Sequence, residues 1–562
     1  MRLPLNRRRL FAVLTAASAT ACASTSAREE HRKASDPFRW GVASGDPDAT
    51  SVVLWTRLAP DPAAPRETVT WTLSRDREFR KPLATGEVQV RADADGTVKT
   101  LVEGLAPGEI YFYRFLARGK FSDVGRTRTL PAGRTDRFGI ALVSCSNYAF
   151  GYFNPYHAIA SDAEVDLVLH TGDYIYEYGA GEWGDDVGAA LGRRHDPAHE
   201  TVTLDDYRRR HAQYKSDVGA QAMHAAHPFV ACWDDHEVTN NPWIGGAQNH
   251  QSETEGAWLT RRAAALQAYY EWMPVREPTA PRTRADFWRV YRIGDLATLV
   301  TLETRHTGRG EQVDYKLWFD RIRSQGDRDA FMRDVIGDPS RTMLSPAMEA
   351  DLAEALTRSS AEGQPWRLLG NASPMARMLT PDVESLGIDP ARNRNGATLG
   401  ARPDLFWTGR WNLPFYTDTW DGYPAARERL YDLCRAAGAQ DLVVLTGDSH
   451  SFWINALADA NGRSIGVELG TAGVSSPGDF VESGWDRESA ELLDRLFEKR
   501  LDEVVWTDNM HQGYVRVVLE RKAVRGDFVV VDTVLTPDYR TRTLATALIE
   551  RQPAGTLTVR KV

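Results

Sequence analysis

Between residues 36 and 131 the apolar positions fall into short runs interleaved with polar ones. Val52-Val53-Leu54-Trp55, Val69-Thr70-Trp71-Thr72-Leu73 and Val88-Gln89-Val90 are β-branched or alternating, and turn residues bound each of them. A repeat of two over such lengths sets one face of an extended strand on a core. Gly104-Leu105-Ala106-Pro107-Gly108 then forms a turn ahead of an aromatic strand, Ile110-Tyr111-Phe112-Tyr113-Arg114-Phe115. The segment 36–131 is therefore expected to be a small all-β domain. Pro131-Ala132-Gly133-Arg134-Thr135 reads as a linker, and beyond it the pattern changes. From 137 to 562, hydrophobic strands (138–143, 165–170, 229–233, 442–446) alternate with helical stretches (155–161, 204–214). That order is expected of an α/β layered domain. Segments 181–200 and 379–425, rich in Gly, Asp, Arg, Pro and Trp, interrupt it and are expected to be long ordered loops beside a site.

Residues 1–27 read as an address rather than as fold. Arg7, Arg8 and Arg9 precede an apolar stretch, 10–21, too short to span a bilayer, and small residues follow it. The run Asn6-Arg7-Arg8-Arg9-Leu10-Phe11 resembles a twin-arginine export signal. The twin-arginine machinery is thus an expected partner, and the mature chain an expected periplasmic or secreted protein. A lipoprotein would be acylated at Cys22, but Ala19 stands where a large aliphatic is usual, which favours cleavage without lipid. No later stretch is long and apolar enough to cross a membrane. The net charge of −9 gives no electrostatic reason for a nucleic-acid or anionic-membrane partner. A bound anion would need a local positive site, which a metal cluster supplies. With Cys22 removed, Cys145, Cys232 and Cys434 remain, an odd number that leaves at least one thiol unpaired.

Four clusters follow predicted strands, where open α/β sheets gather their ligands. They are Ser144-Cys145-Ser146-Asn147, Gly172-Asp173-Tyr174-Ile175-Tyr176, Trp233-Asp234-Asp235-His236-Glu237 and Thr446-Gly447-Asp448-Ser449-His450. Singly, these read as a buried thiol, a turn, a solvated loop and a helix cap. Together they offer thiolate, carboxylate, phenolate and imidazole, the donor set of transition metals. Metal binding is the better reading of the four.

The same residues carry a family resemblance. Asp-x-His, Gly-Asp-x-x-Asp, Gly-Asn-His-Glu and Gly-His-x-His, in that order, mark calcineurin-like metallophosphoesterases, and here the series is altered. Tyr176 closes a Gly-Asp-x-x-Tyr motif like that of purple acid phosphatases; Cys145 replaces the first aspartate; Asp235 stands at the asparagine; Asp448 stands at the first histidine of the last motif. With Phe38-Arg39-Trp40-Gly41-Val42-Ala43-Ser44-Gly45-Asp46-Pro47, Trp420-Asp421-Gly422-Tyr423-Pro424, Ser475-Ser476-Pro477-Gly478 and His511-Gln512-Gly513-Tyr514, the chain resembles the PhoD-like alkaline phosphatases and phosphodiesterases over nearly its whole mature length.

The resemblance implies a layered metallophosphoesterase β-sandwich flanked by helices, behind an N-terminal domain similar to fibronectin type III or immunoglobulin sandwiches. It implies an iron side held by Cys145, Asp173, Tyr176 and His450, with Asp173 bridging to a second side at Asp235 and Asp448. Ferric iron suits thiolate and phenolate, and one or two calcium ions suit the oxygen-rich side, with zinc or manganese as alternatives. Asp234 or Asn240 completes the second shell. A metal-activated hydroxide or oxide would attack phosphorus in line. His236 is the candidate acid for the leaving oxygen, or else a residue that orients an aspartate. Arg305, in Leu302-Glu303-Thr304-Arg305, is a candidate phosphate clamp or a structural ion pair; Glu303 departs from the aspartate usual there. His170 is expected to be packed, and Asn371 stands where a Gln-rich segment is expected. The substrates implied are small phosphate esters, or phospholipid or polymer diesters. The alternatives are a dedicated phosphodiesterase, such as a phospholipase D or teichoic-acid-type hydrolase, and, more remotely, a non-catalytic surface-binding protein.

Overall fold

The computed structural model describes residues 36–61, 67–393, 405–553 and 555–562. The expected leader 1–27, with Cys22, lies outside the described residues, as do positions 394–404 of the expected loop 379–425.

Strand Arg137–Val143 shows why the chain layers as it does. Phe138, Ile140 and Leu142 join a core between two sheets, whereas Ala141 and Val143 join a second core beneath helices. The period of two is intact, but both faces are covered, so the sequence reads as one apolar run. Leu442–Thr446 in the other sheet behaves alike: Val443 and Leu445 face the inter-sheet core, and Leu442 and Val444 face helices Pro346–Ala361 and Pro424–Ala436. The result is two sheets packed face to face with helices outside.

The first sheet is ten-stranded and mixed. At its centre Arg137–Val143, Leu167–His170 and Phe229–Ala231 run parallel. The second is seven-stranded, with Ala297–Thr301, Trp366–Gly370, Leu442–Thr446 and Ser464–Gly470 parallel. Two expected strands are shorter than the apolar runs suggest. The run 165–170 starts as strand only at Leu167, because Val165 closes a turn on Asp162 and the Asp166 carboxylate accepts the Gly139 N–H at 2.9 Å. The run 229–233 stops at Ala231, because Glu237 bends the loop back by accepting the Asp234 N–H at 2.8 Å.

The described residues between 42 and 128 hold strands and one 3-10 turn. Thr68–Ser74, Pro82–Gln89, Ile110–Ala117, Lys120–Phe121 and Gly125–Arg128 form a five-stranded sheet of their own. The aromatic strand alternates as its sequence predicts, with Tyr111, Tyr113 and Phe115 buried in a shared core. The Tyr111 hydroxyl accepts the Ala106 N–H at 2.9 Å and pins the preceding turn. The opposing strands Val42–Gly45, Val52–Arg57 and Thr97–Val102 do not close into a separate sheet. They extend the ten-stranded one, through parallel pairing of Gly45 with Phe229.

Candidate metal centre and active site

The parallel strands of both sheets end at one rim, and each of the four sequence clusters starts there. Cys145 lies two residues past Val143, Asp173 three past His170, Asp234 three past Ala231 and Asp448 two past Thr446. Tight turns bring them together. Gly172 has φ +105, and a Cβ on it would stand 2.3 Å from the Asp234 Cβ, so only glycine lets these two loops touch. A Cβ on Gly447 would stand 2.2 Å from the Ser144 hydroxyl.

Cys145, Asp173 and His450 form one group whose ligand atoms all lie within 4.8 Å of one another, and all three residues are buried. The Tyr176 hydroxyl adjoins it, donating to Asp173 Oδ2 at 2.9 Å and lying 3.3 Å from His450 Nε2. His450 Nδ1 is 3.1 Å from the Pro477 carbonyl, which can only accept, so Nδ1 carries the proton and Nε2 keeps its lone pair. Trp183 precedes the helix Asp185–Leu191, which the sequence reading of 181–200 as a loop did not anticipate, and it stacks on the His450 ring at 5.6 Å.

A second group, Asp234, Asp235 and Asp448, meets the same 4.8 Å test, and Asp173 joins Asp235 and His236 in a third. Asp235 is fixed from both ends: Oδ1 accepts the His236 N–H at 3.1 Å and Oδ2 the Asn241 N–H at 2.9 Å. Asn240 gives its backbone N–H to Glu177, and the Asp234 carboxylate stands in the cluster with Asp235 and Asp448. Asp448 is the most open of these residues, its side chain 22% exposed.

Charge makes the cluster unusual. Burial pushes Asp173 well above the carboxylate range, with His236 opposing and Asp235 and Asp234 adding repulsion. Burial likewise raises Asp448, together with Asp234 and Asp418, and raises Asp234 to about 6 against the pull of Arg305. Asp235 goes the other way: His236 and Arg305 outweigh burial and hold it below the usual range. Burial lifts the Cys145 thiol, helped by Asp173, and drops His450 to about 4. His236 stays well above the imidazole range, because Asp235, Glu177 and Asp173 outweigh its burial. Asp173, Asp234, Asp235 and Asp448, with Asp418 and Glu177 beside them, therefore crowd around Arg305 and His236, and Asp234 Oδ2 is buried without a hydrogen-bond partner among the described residues. Bound cations would balance this charge, and the donor types fit them.

Arg305 is 1% exposed. Its Nε donates to Asp234, Nη1 lies 3.2 Å from Asp418, and Nη2 lies 3.6 Å from Asp448 without a hydrogen bond. The ion-pair geometry is thus present, with one nitrogen left over. Glu303 secures that loop by accepting the backbone N–H groups of Arg305 and His306 with Oε1, and that of Thr307 with Oε2. His170 is packed, with the Tyr156 hydroxyl 2.7 Å from Nε2 and the Gly172 N–H on Nδ1. Asn371 is fully buried and spends its amide on Ser373 and Trp420.

Sequence reasoning missed Glu177, Asp418 and Trp183. Glu177 is the most telling, because it follows Tyr176 directly and its burial is complete. An acidic residue closing an otherwise apolar, aromatic motif was the available signal. Asp418 and Trp183 lie in loops whose geometry no periodicity encodes.

The chain is similar to known proteins over most of its length. The family described as PhoD-like phosphatase matches residues 140–528, and its N-terminal domain matches residues 21–131. Alkaline phosphatase D of Bacillus subtilis (strain 168) is 33% identical over 538 residues, covering 92% of this chain and 82% of that protein. A solved structure of PhoD superposes with a TM-score of 0.75 at 31% identity, covering 94% of this chain and 92% of that one. The chain belongs to the PhoD-like phosphatase family and is a phosphoric ester hydrolase.

Proposed function

We propose that this hydrolase is exported and metal-dependent, with an alkaline phosphatase D-like activity on phosphate monoesters, diesters or both. In this reading residues 1–27 are a twin-arginine leader, 36–131 an N-terminal β-domain and 137–562 the catalytic domain. Cys145, Asp173, Tyr176 and His450 would hold ferric iron. Asp235, Asp448 and Asp234 would hold calcium, for which a carboxylate set is suited. The observation that carries this is the run of clustered donors, from the thiol, phenol and imidazole group through Asp173 to the carboxylate group.

Cations so held would neutralise the ester's oxygens and lower the pKa of water. The protein's part is positioning and proton transfer. Asp173 and Asp235 hold the two sides in register through the His236 backbone N–H, which lies 3.3 Å from one and 3.1 Å from the other. His236 would give a proton to the leaving oxygen. Arg305, tied to Asp234 and Asp418, would offer Nη2 to a phosphoryl oxygen.

The test is elemental analysis of protein exported from its own host without chelator, paired with rates on nitrophenyl phosphate and bis-nitrophenyl phosphate. About one iron with one or two calcium per chain, and turnover of either ester, supports the reading. Zinc or manganese alone overturns the ligand assignment, and a folded, metal-free, active protein overturns the metal dependence.

A further inference from the structure

The completely buried carboxylate of Glu177 belongs to none of these donor groups. Its two oxygens do different work. Oε1 accepts the Asn240 N–H at 2.7 Å and the Asn249 amide at 3.3 Å, and the Thr239 hydroxyl, which donates to the Asn249 carbonyl at 2.8 Å, lies 3.2 Å away. Oε2 lies 2.6 Å from His236 Nδ1. The ring between them is clamped further, stacking on Tyr176 with centroids 4.3 Å apart. One short loop thus delivers Asp173, Tyr176 and Glu177 to three neighbouring positions.

We propose that Glu177 is the positioning residue for His236, holding the proton on Nδ1 so that Nε2 serves the leaving group. This rests on His236 being the acid of the phosphoester reading. As the P–O bond to the leaving group breaks, its electron pair goes to the leaving oxygen. That oxygen takes the Nε2 proton, while water's oxygen bonds to phosphorus and water's surplus proton passes to solvent. His236 is left neutral with its hydrogen on Nδ1, the tautomer that Oε2 accepts. Solvent then returns a proton to Nε2.

Glutamine cannot reproduce this arrangement. The two N–H donors on Oε1, from Asn240 and Asn249, select the amide oxygen for that side, which turns the NH₂ toward His236. Nδ1 must then accept, and both the imidazolium and the Nδ1–H tautomer lose their partner.

The experiment uses the metal-loaded full chain and its Glu177→Gln, Glu177→Asp, His236→Asn and Glu177→Gln/His236→Asn variants. Each is assayed on an alkyl phosphate, whose leaving group needs a proton, and on dinitrophenyl phosphate, whose leaving group does not. Melting and metal content are followed in parallel. Glu177→Gln should lose about 100-fold in kcat on the alkyl ester and under about threefold on the dinitrophenyl ester, within the usual range for general acid catalysis. His236→Asn should show the same pattern, and the double variant should be no slower than His236→Asn alone. Glu177→Asp, which keeps the charge, should recover part of the alkyl rate. If Glu177→Gln does not fold, the Glu177→Asp pattern decides the matter by the same criterion. Equal losses on both esters, or additive losses in the double variant, would overturn the inference while leaving His236 as the acid. A His236→Asn variant insensitive to leaving group would overturn the acid assignment, and the inference with it.

Discussion

Cys145, Asp173, Asp448 and His450 all have left-handed backbones, with φ between 52 and 66. Outside glycine, asparagine and aspartate this costs on the order of 1–2 kcal/mol per residue, so the strain falls on Cys145 and His450, and here it aims donors into one point. The site therefore stores repulsion and strain that cations would offset. Neighbouring aspartates should accordingly respond in opposite ways to substitution. Asp448→Asn keeps a shape that tolerates φ near 66 and removes a charge that other carboxylates repel. It should stabilise the chelator-treated protein by on the order of 1 kcal/mol, while lowering calcium content. Asp234→Ala leaves Arg305 buried with its Nε unpaired and should destabilise by about 3–5 kcal/mol. Urea titration of the two metal-free variants checks both; a shift of the same sign in each would contradict this account of the charge. Six of the eight residues singled out from sequence as ligands, acid or phosphate clamp lie in these clustered groups because strand-end motifs are local and chemically distinctive. Tyr176 and Arg305 adjoin them. Glu177 escaped because its role depends on a partner 59 positions away, which spacing alone does not reveal.

At the scale of elements, the strands were legible wherever burial left a pattern. Phe138, Ile140 and Leu142 against Ala141 and Val143 needed only the rule of alternation. Strand ends were less legible, because what stops them is polar: the Asp166 carboxylate on Gly139 and the Glu237 carboxylate on Asp234. The loops that shape the site are set by contacts too specific for any period, and Gly172 is the clearest case. Its φ of +105, with Asp234 backbone and Cβ 2.3–2.9 Å from where its own Cβ would lie, leaves no room for alanine. Gly172→Ala should push the Asp173 loop away from the Asp234 loop. We expect a loss of at least 100-fold in kcat/KM, together with a fall in bound metal, and a melting point lower by several degrees. The control is Gly181→Ala, equally left-handed at φ +81 but in open space, which should cost only backbone strain. Equal effects of the two on metal content would mean that the close approach at 172 does not matter.

Across the whole molecule, the sequence suggested two units joined by a linker, and the strands of both are present. What no local pattern reveals is that one sheet runs through both. Gly45 pairs with Phe229, and the Trp55 indole donates to the Glu271 carbonyl at 2.8 Å. Asp46, 2% exposed, receives the Arg276 N–H at 2.7 Å and the Tyr291 hydroxyl at 2.5 Å, and sits 3.0 Å from Arg289 Nε. A bead on a flexible linker would unfold separately from the rest. This junction instead buries a carboxylate among groups of the other part, so neither part keeps its polar atoms satisfied without its neighbour. Urea unfolding should therefore be one transition, with activity, helix signal and tryptophan fluorescence lost together. Asp46→Ala leaves Arg289 and Tyr291 without their partner and should lower that shared midpoint, by about 3 kcal/mol. Two resolved transitions in the parent chain, or an Asp46→Ala effect confined to one of them, would mean that the continuous sheet does not couple the parts. A single transition that moves as a whole would mean that residues 36–131 stabilise the catalytic rim through the shared sheet, although none of their described residues is among the site's donors.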